Sequence, residues 1–414
     1  MLRVDQQREA VRTGAATAAS LAYDALQRAR ADAYGAWVSL DDNAAELAAQ
    51  RDRQPLAGVT VGVKDLFSVA GLPRLAGSRV TLNGPSDRDA ELVARLRGLG
   101  AAVVGTTSMP EFAFGPTPGA RNPLDPRHTP GSSSAGSAIA VAAGQVAVAV
   151  ATQTNGSIIR PSAFCGVAGF KPTQGTMPTD GMPPMVPTLD QPGFIAADAG
   201  SLLSLWSLWH DVEAGTPPAR PAIALVRSRR WDACDAVTRT ALEEISQAAG
   251  GTELEIPAEF DDAWGWTMTI ITVELARNVA GLADRFEDFS APIQEAIRIG
   301  EATSPTTYAD ALAGREAWQA WAQSHLDGVD VIVTPAAPGP APLLEQGSGS
   351  PDLCTLWSLA GVPSVTIPLR HRGGELPRGL QIVAAAGRDL DLLALARHWQ
   401  QDPISHHIAP DAAE

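Results

Sequence analysis

Three short stretches of this chain pair a reactive side chain with backbone that could serve it. In Gly62-Val63-Lys64-Asp65 a lysine stands at the end of an apolar run. A lone lysine is ordinarily solvated, but Val61, Val63 and Leu66 supply an apolar surrounding here. Desolvation disfavours the charged amine and can bring its pKa from about 10.4 toward the 7–8 of a useful general base. The second stretch, Pro130 to Ser137 (PGSSSAGS), is a Gly/Ser loop that runs into an Ala-rich segment. Amides at such a helix start could hold a phosphate, but the Gly-Lys-Ser/Thr ending of a P-loop is missing. So is the Gly-x-Ser-x-Gly elbow of α/β-hydrolases, because Ala135 takes the last glycine's place when Ser133 is centred. A helix-capping serine loop is the plain alternative. The third stretch is Thr152 to Pro161 (TQTNGSIIRP). After its Asn-Gly pair, Ser157 can present a hydroxyl while neighbouring amides converge, which an oxyanion hole requires. Alone this is an ordinary turn; together the three stretches make a lysine-activated serine nucleophile a coherent proposal.

Elements with the right texture stand around them. Two or three helices fit 5–53, where apolar residues of 33–49 fall on one face. The β-branched run LAGVTVGVKDLFSVAGL predicts a strand. A helix over 86–99, with a Ser/Asp cap candidate and Gly100 at its end, leads into a strand in AAVVGTT. Such βαβ texture predicts a mixed or parallel sheet covered on both faces. Residues 114–137 form a long Gly/Pro/Ser/Asn loop, and loops of that length tend to be functional. The run 138–151 (AIAVAAGQVAVAVA) is too short to span a membrane and reads as a buried helix running into a buried strand. From 201 to about 328 the chain reads as mostly helix, with Trp206, Trp209, Trp264 and Trp266 as core aromatics. Strand texture returns in VDVIVTPAAP, SVTIPLR and GLQIVAAAG before a last helix, LDLLALARHWQ. Both chain ends thus contribute to one core. The expected organisation is a single domain over 1–414, with N-terminal helices to about 55, a core over 56–200, a helical insert over 201–328 and core strands and helix over 329–402.

Composition bounds the function. In 414 residues, 31 Lys+Arg stand against 46 Asp+Glu, a formal net charge of −15, which argues against nucleic acid as a partner. At 45% hydrophobic residues the chain can bury a sizeable core. Three scattered cysteines, Cys165, Cys234 and Cys354, are no disulfide framework, and the N-terminus lacks a signal-peptide core. A cytoplasmic protein that engages no membrane is expected. The seven histidines (His128, His210, His325, His371, His398, His406 and His407) show neither metal-ligand spacing nor a Ser-His-Asp context, and the adjacent pair near the tail reads as solvated. No metal and no cofactor are expected.

The blocks that carry these residues resemble the amidase signature family, serine hydrolases with a Ser–cis-Ser–Lys triad. GVTVGVKDLFSVAGLPRLAGS is similar to the family's lysine block, and GTTSMPEFAFG with RNPLDPRHTPGSSSAGSAIAVAAG to the segment leading to its central serine. SAFCGVAGFKPTQG resembles the stretch just after the family's nucleophile, LDQPGFIAAD its Ser-Leu-Asp-x-x-Gly-Pro block, and the strands within 329–387 its C-terminal part. The resemblance covers about 33–400. It implies an α/β fold with a central mixed β-sheet sandwiched between layers of α-helices. It also implies Ser157 as nucleophile, Ser133 as a bridging serine after a cis peptide, and Lys64 as base. Lys64 would take a proton from Ser133 while Ser133 takes one from Ser157, which attacks the amide carbonyl. Backbone amides of Thr154, Asn155, Gly156 and Ser157 would hold the oxyanion. Ser134 would support the network and Thr152 would lie near Lys64; both stand with Arg160 among the candidate substrate-binding residues, whereas Asp190 and Lys171 read as structural. Relatives are often homodimers, which the resemblance carries over as one option.

The nucleophile block departs from the usual Asp-Thr-Gly-Gly-Ser-Ile-Arg. It reads Gln153-Thr154-Asn155-Gly156-Ser157-Ile158-Ile159-Arg160, with the acid replaced and the arginine three positions after the serine. That variant resembles malonamidase-like members, in which the matching arginine binds the substrate carboxylate. The planar fork of Arg160 suits a carboxylate; a structural salt bridge beneath the turn is the alternative. The implied substrate is a small amide, either carrying a carboxylate or neutral and aliphatic or aryl. An amide-forming acyl transfer would use the same acyl-enzyme. The A chain of a tRNA-linked amidotransferase, which needs partner chains and a glutamine-selective pocket, fits the altered block less well.

Overall fold

The computed structural model describes residues 1–80, 84–370, 374–403 and 407–408. Eleven strands are described: β1 (Trp37–Leu40), β2 (Thr60–Lys64), β3 (Ala102–Thr107), β4 (Val148–Gln153), β5 (Ala168–Lys171), β6 (Gln191–Ala196), β7 (Ile223–Val226), β8 (Thr252–Leu254), β9 (Val331–Pro335), β10 (Ser364–Pro368) and β11 (Gly379–Val383). They form one sheet in the order β1-β3-β2-β4-β6-β5-β10-β11-β9-β7-β8. It is mixed: β2 runs parallel to β3 and β4, and β7 parallel to β8 and β9. From β4 through β6, β5, β10 and β11 to β9 every pairing is antiparallel.

Alternation along each strand splits the interior into two layers. In β4, Val148 and Val150 join a large apolar cluster with Leu92 and Val93 of the helix Glu91–Gly98 and Leu202 and Leu205 of the helix Ala199–His210. Ala149 and Ala151 join the opposite cluster, with Leu26 of the helix Ala18–Arg30 and Ile139 of the helix Ala135–Ala142. The α/β sandwich expected from the sequence is the fold observed. Small residues let the helix Ala135–Ala142 lie close to the sheet, and a Cβ on Gly136 would come within 2.4 Å of the Ser108 amide nitrogen.

Three readings change. The segment 33–49 contains the edge strand β1, because Trp37 donates its indole N–H to Gln145 at 2.7 Å and pairs with Thr107 of β3. The helix read over 86–99 begins only at Glu91, after Ala90, with no side-chain cap. Within 201–328, β7 and β8 extend the sheet, their short apolar stretches being hidden among helical neighbours. Among the described residues no helix is long and apolar enough to cross a membrane, and no cluster of His, Cys, Asp and Glu could hold a metal ion. His371 and His406 lie outside the described residues; His407 meets Glu244 at 2.8 Å rather than standing fully solvated.

Candidate active site

Parallel strands deliver their C-terminal ends to one side of a sheet. With Val63 opposite Val150, β2 and β4 bring Lys64 and Thr152 to the same end. Between them enters the first turn of the helix Ala135–Ala142, fixed by Ser137, whose Oγ meets Thr107 Oγ1 at 2.8 Å and donates to the Val150 carbonyl at 2.9 Å. That places the preceding loop serines over the lysine. Lys64 Nζ lies 2.9 Å from Ser133 Oγ, 3.1 Å from Ser134 Oγ and 2.7 Å from Thr152 Oγ1. Lys64, Ser133, Ser134 and Thr152 are all buried.

Burial lowers the Lys64 pKa to about 7, against a weaker opposing pull from the charge of Asp190. A neutral amine has two N–H donors and one lone pair. Ser134 Oγ already donates to the Thr152 carbonyl at 3.0 Å, so it can only accept from Nζ. The hydrogen bound for the amine lone pair therefore comes from Ser133 or Thr152. The first of these is the direction a proton would travel in base catalysis.

Ser157 sits in the turn between β4 and the helix Ile159–Cys165. Gln153, at the last position of β4, organises that turn. Its Oε1 accepts from the amides of Ile158 (2.8 Å) and Ile159 (3.0 Å), while its Nε2 donates to Ser358 Oγ at 2.9 Å. From the helix Asp352–Ala360, Thr355 donates to Asn155 Oδ1 at 2.7 Å and Ser358 to the Asn155 carbonyl. The amides of Thr154, Asn155, Gly156 and Ser157 donate to no described residue, and all four residues line a cavity of about 250 Å3. Gln153→Ala would orphan two amides, a cost on the order of 2 kcal/mol; a denaturant midpoint equal to the parent's would remove this role.

Of the three residues expected to react, Ser157 alone lines the cavity, with Lys64 and Ser133 behind it. Two expectations are corrected. No cis peptide bond occurs among the described residues, and Ser133 Oγ meets Lys64 Nζ at 2.9 Å without the one expected before it. Gly131 supplies the turn instead, with φ +109 and a position so close to Pro161 that a Cβ would lie 2.8 Å from its Cα. Second, Ser134 and Thr152 do not face the cavity; both hold the amine from behind. The link from Ser133 to Ser157 is not made here, since Ser157 Oγ bonds to no described residue; such contacts often tighten only around substrate.

Arg160 does line the cavity. It is buried, its Nη1 donates to the Gly349 carbonyl, and its Nε has no partner. No described carboxylate lies within ion-pair distance, so the structural salt bridge is not found; Asp352 pairs with Arg230 at 2.6 Å instead. Burial brings the guanidinium down to about 10, which leaves it cationic at neutral pH.

Several lining groups escape the sequence reading. Asp190, read as structural, borders the cavity and accepts from Thr154 Oγ1 (2.5 Å) and the Val186 amide (2.8 Å). Burial raises its carboxyl to about 6 against both bonds and the charge of Lys64. Trp264, read as core, forms part of the cavity wall with Met268, Ile271 and Leu275 of the helix Ala263–Val279. Their spacing places them on one helical face, a signal present in the sequence. Phe112 and Ala113 also line the cavity, with φ of +47 and +63, a left-handed pair that costs roughly 1–2 kcal/mol per residue. Glu111 anchors them, accepting from Ser78 Oγ (2.5 Å) and the Ser290 amide (2.8 Å). Lys171 lies elsewhere, buried and donating to Pro172, Gln191 and Val362, as a structural residue should.

Known proteins carry the same framework. A family model described as Amidase matches residues 17–393. The A chain of the glutamyl-tRNA(Gln) amidotransferase of Deinococcus radiodurans is 32% identical, over 94% of this chain and 95% of its own. Among solved structures, one described as an amidase is 30% identical with a TM-score of 0.85, over 95% of this chain and 98% of its own. A chain from the vestigial complex that revealed the evolutionary origins of an s-triazine catabolic enzyme matches at TM-score 0.89 over all of both chains, and at 24% identity it speaks for the fold alone.

Proposed function

The chain belongs to the amidase family, and we propose that within it this protein hydrolyses a small amide through an acyl-enzyme on Ser157. The observation that carries the reading is a fully buried lysine, its pKa drawn to about 7, held by three hydroxyls directly behind the cavity of Ser157. In the reaction the lysine amine takes the Ser133 proton as Ser133 takes that of Ser157, and Ser157 Oγ adds to the amide carbonyl. Oxygen gathers negative charge against the unused amides of residues 154–157. Collapse expels ammonia or an amine, which takes up the proton, and water then cleaves the ester by the same relay.

Arg160 supports a substrate that bears a carboxylate, as in malonamidase-like members. A buried cation with an orphaned Nε is costly unless something answers it, and this one borders the reaction cavity. Ammonia release from malonamate and from propanamide tests both points. Arg160→Leu should lower kcat/KM on malonamate by about 10–100-fold, the worth of a charge-assisted bond, and on propanamide by less than threefold. Equal losses would return Arg160 to a structural role; a parent inactive on both would count against a small-amide hydrolase.

A second reading, a working part of a multi-chain amidotransferase, is favoured by the identity to the Deinococcus radiodurans protein. Partner chains that co-purify with the protein and raise its glutamine-dependent turnover would support it over a self-sufficient amidase.

A further inference from the structure

A second hollow opens on the far side of one tryptophan. Trp264 lines the Ser157 cavity and also a cleft of about 350 Å3, and it is the one described side chain that borders both. Elsewhere the partition is the start of the helix Asp352–Ala360, with Pro351 facing the cavity and Asp352, Thr355 and Leu356 facing the cleft. Trp264 is half-buried and engages no described aromatic ring, whereas its neighbour Trp266 is fixed edge-on against Phe260 at 6.5 Å. With no hydrogen bond or ring contact to a described residue, the indole can turn aside, and that turn would join the two hollows.

We propose that this cleft is the distal half of the substrate site, taking the chain of an elongated amide whose scissile bond lies at Ser157; the inference rests on the amide-hydrolase reading. Leu254, Ile256, Phe260 and Leu356 give the cleft an apolar floor. At its rim Arg227 is paired with Glu253 at 2.8 Å and Arg230 with Asp352 at 2.6 Å, and the other charges there, Arg229, Glu255 and Asp261, are of mixed sign. The floor, rather than a net charge, selects the occupant, which is an uncharged and mainly apolar chain. Thr355, which borders the cleft, also donates to Asn155 in the nucleophile turn, so the two spaces share a wall. The 250 Å3 cavity would then hold only the reacting amide and its immediate substituents.

Ala258 is exposed, lines the cleft and does not border the Ser157 cavity, so Ala258→Trp narrows the cleft and leaves the reaction centre unchanged. The probes are built on whichever head, malonamate or propanamide, the parent cleaves faster. They are the head alone, the head with an N-hexyl chain, and the head with a hexyl chain on its acyl carbon. Each methylene that loses its apolar contact costs about fourfold, so Ala258→Trp should lower kcat/KM on one chain-bearing probe by about 10–100-fold and leave the head alone within twofold. Which probe responds tells whether the chain enters from the amine or the acyl side. Calorimetric affinity for the same probe, measured on Ser157→Ala protein with and without Ala258→Trp, should fall in parallel. Equal effects on head and chain-bearing probes, no effect on any, or a parent that cleaves the head but neither longer probe would overturn the subsite alone. A parent that cleaves no head would overturn the hydrolase reading and the subsite with it.

Discussion

Ser157→Ala is expected to lower amide turnover by on the order of 10⁴-fold or more, the usual scale for removing an attacking hydroxyl. The fold should barely register the change. Ser157 Oγ makes no hydrogen bond to a described residue, and the turn around it is held by Gln153, Thr355 and Ser358 rather than by the serine itself. A denaturant midpoint within error of the parent's, combined with lost ammonia release, would isolate chemistry from stability. Mass spectrometry adds a direct reading. Parent protein quenched during turnover should carry the acyl group on Ser157, and the variant should carry none. Retained turnover would end the assignment of Ser157 as nucleophile.

Lys64→Met should cost about 10²–10⁴-fold, the range for general-base catalysis, because methionine fills a similar space and cannot accept a proton. The pH profile gives the sharper test. Burial draws the Lys64 pKa from 10.5 to about 7, and only the unprotonated amine accepts from Ser133. The kcat/KM of the parent should therefore be level above about pH 8 and fall toward tenfold per unit below 7. Asp190, raised by burial to about 6, titrates close by, so the limb belongs to both groups together. In Lys64→Met the lysine part of that limb should vanish and leave a shallower profile. A parent whose rate is flat from pH 5 to 8 would remove lysine from the mechanism.

The groups proposed to react stand out in the sequence because each is announced locally. Lys64 ends a β-branched run, Ser133 sits in a Gly/Ser loop, and Ser157 follows Asn-Gly; parallel β2 and β4 then account for their meeting. The groups around them depend on contacts far apart in the chain. Asp190 reads as structural until its carboxyl is found at the cavity, bonded to Thr154, and Trp264 looks like core until its helix is laid over the cavity. Ser134 and Thr152 read as substrate contacts, but the small difference between lying beside the amine and beside the ligand is set by backbone geometry. The strands β7 and β8 escape notice for a related reason. At four and three residues, their period-2 signal is too short to stand out among helices.

The dependence of the Ser157 turn on the helix Asp352–Ala360 has a bearing on how the chain comes into being. Synthesis proceeds from the N-terminus, and domains tend to fold as their parts emerge. Lys64, Ser133 and Ser157 leave the ribosome well before Thr355 and Ser358, which clamp Asn155, and before β10, which links β5 to β11, β9, β7 and β8. Closing such distant pairings is slow. From Ser157 to Thr355, nearly half of its synthesis, the nascent chain thus carries the three residues proposed to react while lacking the brace that shapes their turn.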